Sequence, residues 1–164
     1  MNADFKELFK QALSSRGWKF KNEEPDCGCT GYYALPPEMS TCPIRFSFYF
    51  EEVGVVCYAT ICSDIANDRL PQVAEFLLRI NSALVCGSFE LDYAQHSVVV
   101  KNFQDMSGFM AATQDVQSEM ADRFLRLPYL MIKDVWNQFQ FVLSGRKDPY
   151  IAASEIISEH TARL

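Results

Sequence analysis

Residues 70–103 read LPQVAEFLLRINSALVCGSFELDYAQHSVVVKNF, and this stretch decides the fold. Val73, Phe76, Leu77, Ile80 and Leu84 recur at steps of three and four, the spacing that gathers apolar side chains into one stripe of a helix. Glu75, Arg79 and Ser82 fall on the other side. Asp68, ahead of the helix-compatible Pro71, is placed to cap the first turn, whose N–H groups have no partner inside the helix. Gly87 follows the last apolar turn and permits a sharp exit. Phe89 and Leu91 then alternate with Glu90 and Asp92, and Val98 and Val100 answer them across a turn at Ala94 to His96. The pattern predicts a hairpin with one apolar face. Its turn is weakly specified, lacking the Asn-Gly or Asp-Gly pair of two-residue hairpins.

Outward from this unit the elements follow in order. Residues 2–15 predict a first helix, with Phe5, Leu8, Phe9 and Leu13 on one side, Lys6 and Lys10 on the other, and Gly17 as its stop. Trp18 and Phe20 alternate with Lys19 and Lys21 as a short strand. Phe46, Phe48 and Phe50 alternate with Arg45, Ser47, Tyr49 and Glu51, a half-buried strand pattern. After a turn at 52–54, the run from Val55 to Cys62 is apolar or neutral on both faces, as in strands that are central or covered twice. From about residue 107 the pattern is helical. Ser107 is a candidate cap for a helix carrying Phe109, Val116, Met120 and Phe124. Pro128 divides it from a second piece with Ile132, Val135, Trp136, Phe139 and Leu143, which Gly145 ends. Tyr150 to His160 read as a short final helix.

Arg79-Ile80-Asn81 on the helix and Gly87-Ser88-Phe89-Glu90-Leu91-Asp92 on the strand resemble the YbjN-like family of bacterial proteins. The likeness extends more weakly to the tryptophan-containing segment after the first helix and its paired strands, and to the helix–glycine–loop–helix ending around Gly145 to Ile156. The stretch from Pro25 to Pro43, rich in cysteine and proline, departs from the family as an extra loop. The resemblance implies an α+β fold of the type III secretion chaperone-like kind. Such a fold is a curved antiparallel sheet of about five strands packed against helices, in the order α-β-β-β-α-β-β-α-α, and it often forms a dimer. A protein-interaction or regulatory role follows from it, with no catalytic residues to carry over. Arg79, Asn81, Gly87, Phe89 and Asp92 carry the motif and are read as structural; for Asn81 the reading is a bond to a strand end or loop backbone, with ligand contact as the alternative.

At 164 residues the chain fits a single domain, 1–164, large enough to bury a core rich in its thirteen phenylalanines and seven tyrosines. The formal net charge of −6 disfavours a surface that tracks phosphates, so nucleic acid is not the expected partner. No apolar run approaches the ~20 residues of a membrane span. Asp4, Lys6, Glu7 and Lys10 do not fit a secretory leader, and the expected location is cytoplasmic.

Three candidate sites compete. Tyr49, Val56 and Tyr58 share the sheet face opposite the phenylalanines. Uncovered, that face is an apolar patch suited to a protein partner or a homodimer; wrapped by the C-terminal helices, it is ordinary core, and both readings stay open. Cys27, Cys29 and Cys42 could hold a soft metal or exchange a disulfide, but three ligands lack the fourth of a structural zinc site and no basic residue in the loop lowers a thiol pKa. Reduced thiols are the default. Cys57 and Cys62, about 17 Å apart on one extended strand, cannot pair, and with Cys86 they read as buried small apolar side chains. Glu90 and Asp92, with Lys101 across the hairpin, form a possible carboxylate pair, which solvated charges on an open face explain equally well. His96 and His160 have no nucleophile in sequence context. The expectation is a non-enzymatic protein-interaction module without cofactor or metal, chaperone-like or regulatory; the alternative is a thiol or metal module built on Cys27, Cys29 and Cys42.

Overall fold

A computed structural model describes residues 3–15, 19–22, 29–32, 45–50 and 54–161. The elements are α1 (Ala3–Ser14), β1 (Lys19–Asn22), β2 (Cys29–Tyr32), β3 (Arg45–Phe50), β4 (Gly54–Cys62), α2 (Leu70–Asn81), β5 (Ser88–Asp92), β6 (Ser97–Asp105), a 3₁₀ turn at Phe109–Ala111, α3 (Gln114–Leu143) and α4 (Pro149–Thr161). The six strands form one sheet in the order β1-β2-β3-β4-β6-β5, every neighbouring pair antiparallel. The first four strands meander. Helix α2 then carries the chain past β4 to the far edge, and the hairpin brings β6 back into the gap beside it.

The expected five strands become six because the Pro25 to Pro43 segment is not all loop: Cys29–Tyr32 pairs with β1 on one side and β3 on the other. Its signal was short, four residues interrupted by Gly31, a residue that weakens strands.

Alternation decides the layers. Phe46, Phe48 and Phe50 of β3, Val55, Cys57, Ala59 and Ile61 of β4, and Val98 and Val100 of β6 are buried on one face. Helices cover that face. Phe9 of α1 meets Phe48 at 6.0 Å, Phe50 at 5.5 Å, Phe109 at 6.0 Å and Phe124 of α3 at 6.1 Å, so one ring ties α1 to the sheet, the 3₁₀ turn and α3. Val73, Phe76, Leu77 and Ile80 of α2 join the same core, with Phe76 6.3 Å from Phe139. Helix α4 packs on α2 and α3 through Ala152, Ala153 and Ile156.

Helix α3 is continuous through Pro128, where the sequence predicts a division. A proline here removes the N–H that would bond the carbonyl of Phe124, four residues back. The Asn102 amide, buried on the helix side of β6, supplies the donor instead, its Nδ2 lying 3.4 Å from the Phe124 oxygen. The start of α3 also differs. Phe109 sits in the preceding 3₁₀ turn, whose carbonyl accepts from Gln117 Nε2 at 2.9 Å, and the residue flanking the helix is Thr113, not Ser107. The Ser107 N–H donates to Asp105 Oδ1 at 2.7 Å.

Asp68 does not cap α2, because the flanking residue is Arg69 and Asp68 stands one position too early; its carboxylate lies 3.7 Å from Arg69 Nε. Leu84 is half-buried beyond the end of the helix at Asn81. At the end of α3, Gly145 (φ 70°) closes a Schellman turn: its N–H donates to the Val142 carbonyl at 2.9 Å and the Arg146 N–H to that of Phe141 at 2.8 Å. Among the described residues no helix is long and apolar enough to cross a membrane.

Candidate functional site

The second face of the sheet carries the candidate site. Because successive side chains alternate, burying Phe46, Phe48 and Phe50 sends Ser47 and Tyr49 outward, and the same rule sends out Val56, Tyr58 and Thr60 of β4 and Val99, Lys101 and Phe103 of β6. Register then aligns them in rows. Ser47, Tyr58, Lys101 and Ser88 stand opposite one another across four strands, and Tyr49, Val56 and Phe103 form the next row. Each of these helix-free positions is half-buried or exposed, with Phe103 at 53%.

Tyr49 and Tyr58 meet edge to face with ring centres 5.3 Å apart. Lys101 Nζ sits 5.6 Å from the centre of the Tyr58 ring and 3.6 Å from Glu90 Oε1. The Glu90 carboxylate, then the Tyr58 side chain, hold the Lys101 ammonium above its ordinary pKa. A shallow groove of about 680 Å³ runs over this surface, lined by Ser47, Tyr49, Tyr58, Thr60, Glu90 and Val99 and ending at the loops with Asp64 and Gln95. Its lining is mostly polar, with Tyr49, Tyr58, Leu91 and Val99 as the apolar part, and Val56 and Phe103 lie beside it in the next row. Among the described residues α1, α2 and α3 pack on the phenylalanine side and α4 packs on α2 and α3, so the C-terminal helices do not wrap this second face.

The structure thus brings Tyr49, Val56 and Tyr58 onto one open face. Phe103, Val99 and Lys101 complete it; continuing the alternation past Val100 along β6, which runs to Asp105, is the signal that finds them. Glu90 and Asp92 are engaged separately. Glu90 is engaged by Lys101 and by Ser88 Oγ at 3.3 Å, while Asp92 Oδ1 accepts the N–H groups of Ala94 at 2.8 Å and Gln95 at 2.9 Å. That side chain specifies the turn in place of an Asn-Gly pair. His96 ends the turn at φ 46°, its carbonyl accepting from the Ile65 N–H at 3.0 Å.

The other motif residues hold elements together. Arg79 bonds Glu75 Oε1 through Nη2 at 2.8 Å and Nε at 3.0 Å, and its guanidinium lies 4.7 Å from the centre of the Tyr150 ring of α4. Asn81 bonds the backbone of Phe89 twice, at 2.8 Å each. Gly87 has φ 70°, and a Cβ there would lie 2.9 Å from Met131 Sδ. Phe89 is buried in the core.

Cys27 and Cys42 lie outside the described residues, as does the side chain of Cys29, and His160 is described only as backbone within α4. No group of three or more His, Cys, Asp or Glu side chains suited to a metal occurs among the described residues. Cys57 is buried as expected, but Cys62 is half-buried and Cys86 is exposed, because it lies in the irregular link between α2 and β5 and not within a packed element.

No protein-family model matches the sequence, and no curated protein does. Among solved structures, the crystal structure of YbjN from E. coli, "a putative transcription regulator", superposes with a TM-score of 0.51 at 13% identity, over 77% of this chain and 87% of that one. At this identity the likeness is one of architecture: the chain carries a YbjN-like α+β fold.

Proposed function

We propose that this protein is a non-enzymatic interaction module of the regulatory or chaperone-like kind, which binds a polypeptide, a second copy of itself included, on the open sheet face. The observation that supports the reading is the strip of Tyr49, Tyr58, Val56, Val99 and Phe103, half-buried or exposed on the sheet face that carries no helix among the described residues, opposite a fully packed face. Large rigid aromatic side chains ringed by polar ones supply contact area at low entropic cost. Lys101 on this face is paired with Glu90, and the whole chain is acidic, which favours protein over nucleic acid as the direct partner. Any regulatory role of the kind named for YbjN would then run through protein contact. Affinity capture from native lysate under reducing conditions, with light scattering of the purified protein, tests this. Wild type retains a chain, or dimerises, in a manner that Tyr49→Asp with Tyr58→Asp abolishes while the melting transition stays cooperative. Equal retention and equal mass for both would sink the proposal.

A further inference from the structure

Strand β5 is an edge of the sheet, paired only with β6 among the described strands. In an antiparallel pair, residues alternately direct their N–H and C=O toward the partner strand and away from it. Phe89 directs both outward, and Asn81 at the last turn of α2 takes both: the Phe89 N–H donates to Asn81 Oδ1 at 2.8 Å and Asn81 Nδ2 donates to the Phe89 carbonyl at 2.8 Å. A side-chain amide carries one donor and one acceptor side by side, as a peptide group does. Asn81 therefore makes the two bonds that a residue of an added strand would make.

We infer that Asn81 is an edge plug, which keeps β5 from pairing with β5 of a second copy of this chain. An open strand edge is a template for association, and its closest complement in solution is the same edge of another molecule. By the same alternation Leu91 presents the next outward N–H and C=O. Antiparallel pairing of two β5 strands about Glu90 sets Phe89 against Leu91 of the other copy, so the pairing needs the very groups that Asn81 occupies. The site is distinct from the open sheet face, and the inference stands or falls apart from the partner-binding reading.

Hydrogen exchange on the wild type and sedimentation of two variants test it. In the wild type the Phe89 amide is protected while that of Leu91, on the same edge, exchanges faster. Asn81→Ala, studied at high ionic strength to screen the two Glu90 charges, doubles the mass relative to wild type in a concentration-dependent way. Adding Leu91→Pro, which deletes the outward N–H at a position where an edge strand tolerates proline, returns the mass to the wild-type value. A folded Asn81→Ala with wild-type mass overturns the inference, as does association that survives Leu91→Pro. Should Asn81→Ala not fold, Asn81→Ser, whose short hydroxyl cannot make both bonds, takes its place in sedimentation under the same two outcomes, and a Phe89 amide that exchanges as fast as Leu91 in the wild type overturns the plug by itself.

Discussion

Replacing Asn102 by Ala in two backgrounds tests how α3 passes through its proline. Asn102 is 4% exposed, and its Nδ2 lies 3.4 Å from the Phe124 carbonyl that Pro128 leaves without a helical donor. Removing the amide buries an acceptor with no partner, which costs about 1–3 kcal/mol. In a chain of this length that lowers Tm by roughly 2–12 °C. Pro128→Ala restores an N–H four residues after Phe124, so in that background the same substitution loses only side-chain packing. Packing loss is common to both arms and cancels in the double-mutant cycle, leaving a coupling of about 1 kcal/mol or more. Urea unfolding of the four proteins, followed by circular dichroism, measures it. Costs that add to within about 0.5 kcal/mol would refute the account, because independent sites behave that way.

Gly145→Ala forces a side chain into the left-handed region and against the Arg69 guanidinium; urea unfolding should show a loss of about 1–2 kcal/mol. Hydrogen bonding from Lys147 Nζ at 2.6 Å holds the Glu155 carboxyl below its usual range, with the Lys147 charge and Gln138 acting in the same direction. A depressed carboxylate contributes stability above its unfolded pKa and loses it as pH falls through the folded value, so Lys147→Met should raise the Glu155 titration seen by NMR and weaken that acid-side dependence, leaving the part due to Gln138. Lys101 carries the opposite sign: its raised value makes the Glu90 contact favourable below the unfolded lysine pKa, with loss as pH rises through the folded one, and Glu90→Gln should lower the Lys101 titration. Phe9→Ala removes the central ring of a five-ring cluster and should cost about 3–5 kcal/mol in the same urea assay, whereas an effect below about 1 kcal/mol would mean that α1 is not docked there.

Periodicity carried most of the fold. The stripe of Val73, Phe76, Leu77 and Ile80 and the alternation of Phe46, Phe48 and Phe50 reflect burial on one side only, and burial is what sequence patterns record. The α2–β5–β6 unit and the outward set Tyr49, Val56 and Tyr58 were legible for that reason. Features set by distant partners were not. Pro128 reads locally as a break, and only Asn102, 26 positions away in the chain on a neighbouring strand, makes the helix continuous. β2 is four residues long and depends on its neighbours β1 and β3, so its own sequence says little. Asp68 is a good capping residue one position too early, a boundary error that propensity cannot detect. That no helix among the described residues covers the second face depends on the crossover of α2 to the far edge, a matter of topology that alternation leaves open.

Oxidative footprinting of the tyrosines, with and without the captured partner, locates the binding surface. Tyr49 and Tyr58 lie on the open face, while Tyr93 and Tyr150 are exposed at the hairpin tip and on α4 and serve as internal controls. Binding on the sheet face protects Tyr49, Tyr58 and the neighbouring Phe103 and leaves Tyr93 and Tyr150 unchanged. Protection centred on Tyr150, with Tyr58 oxidised at its free rate, would contradict it.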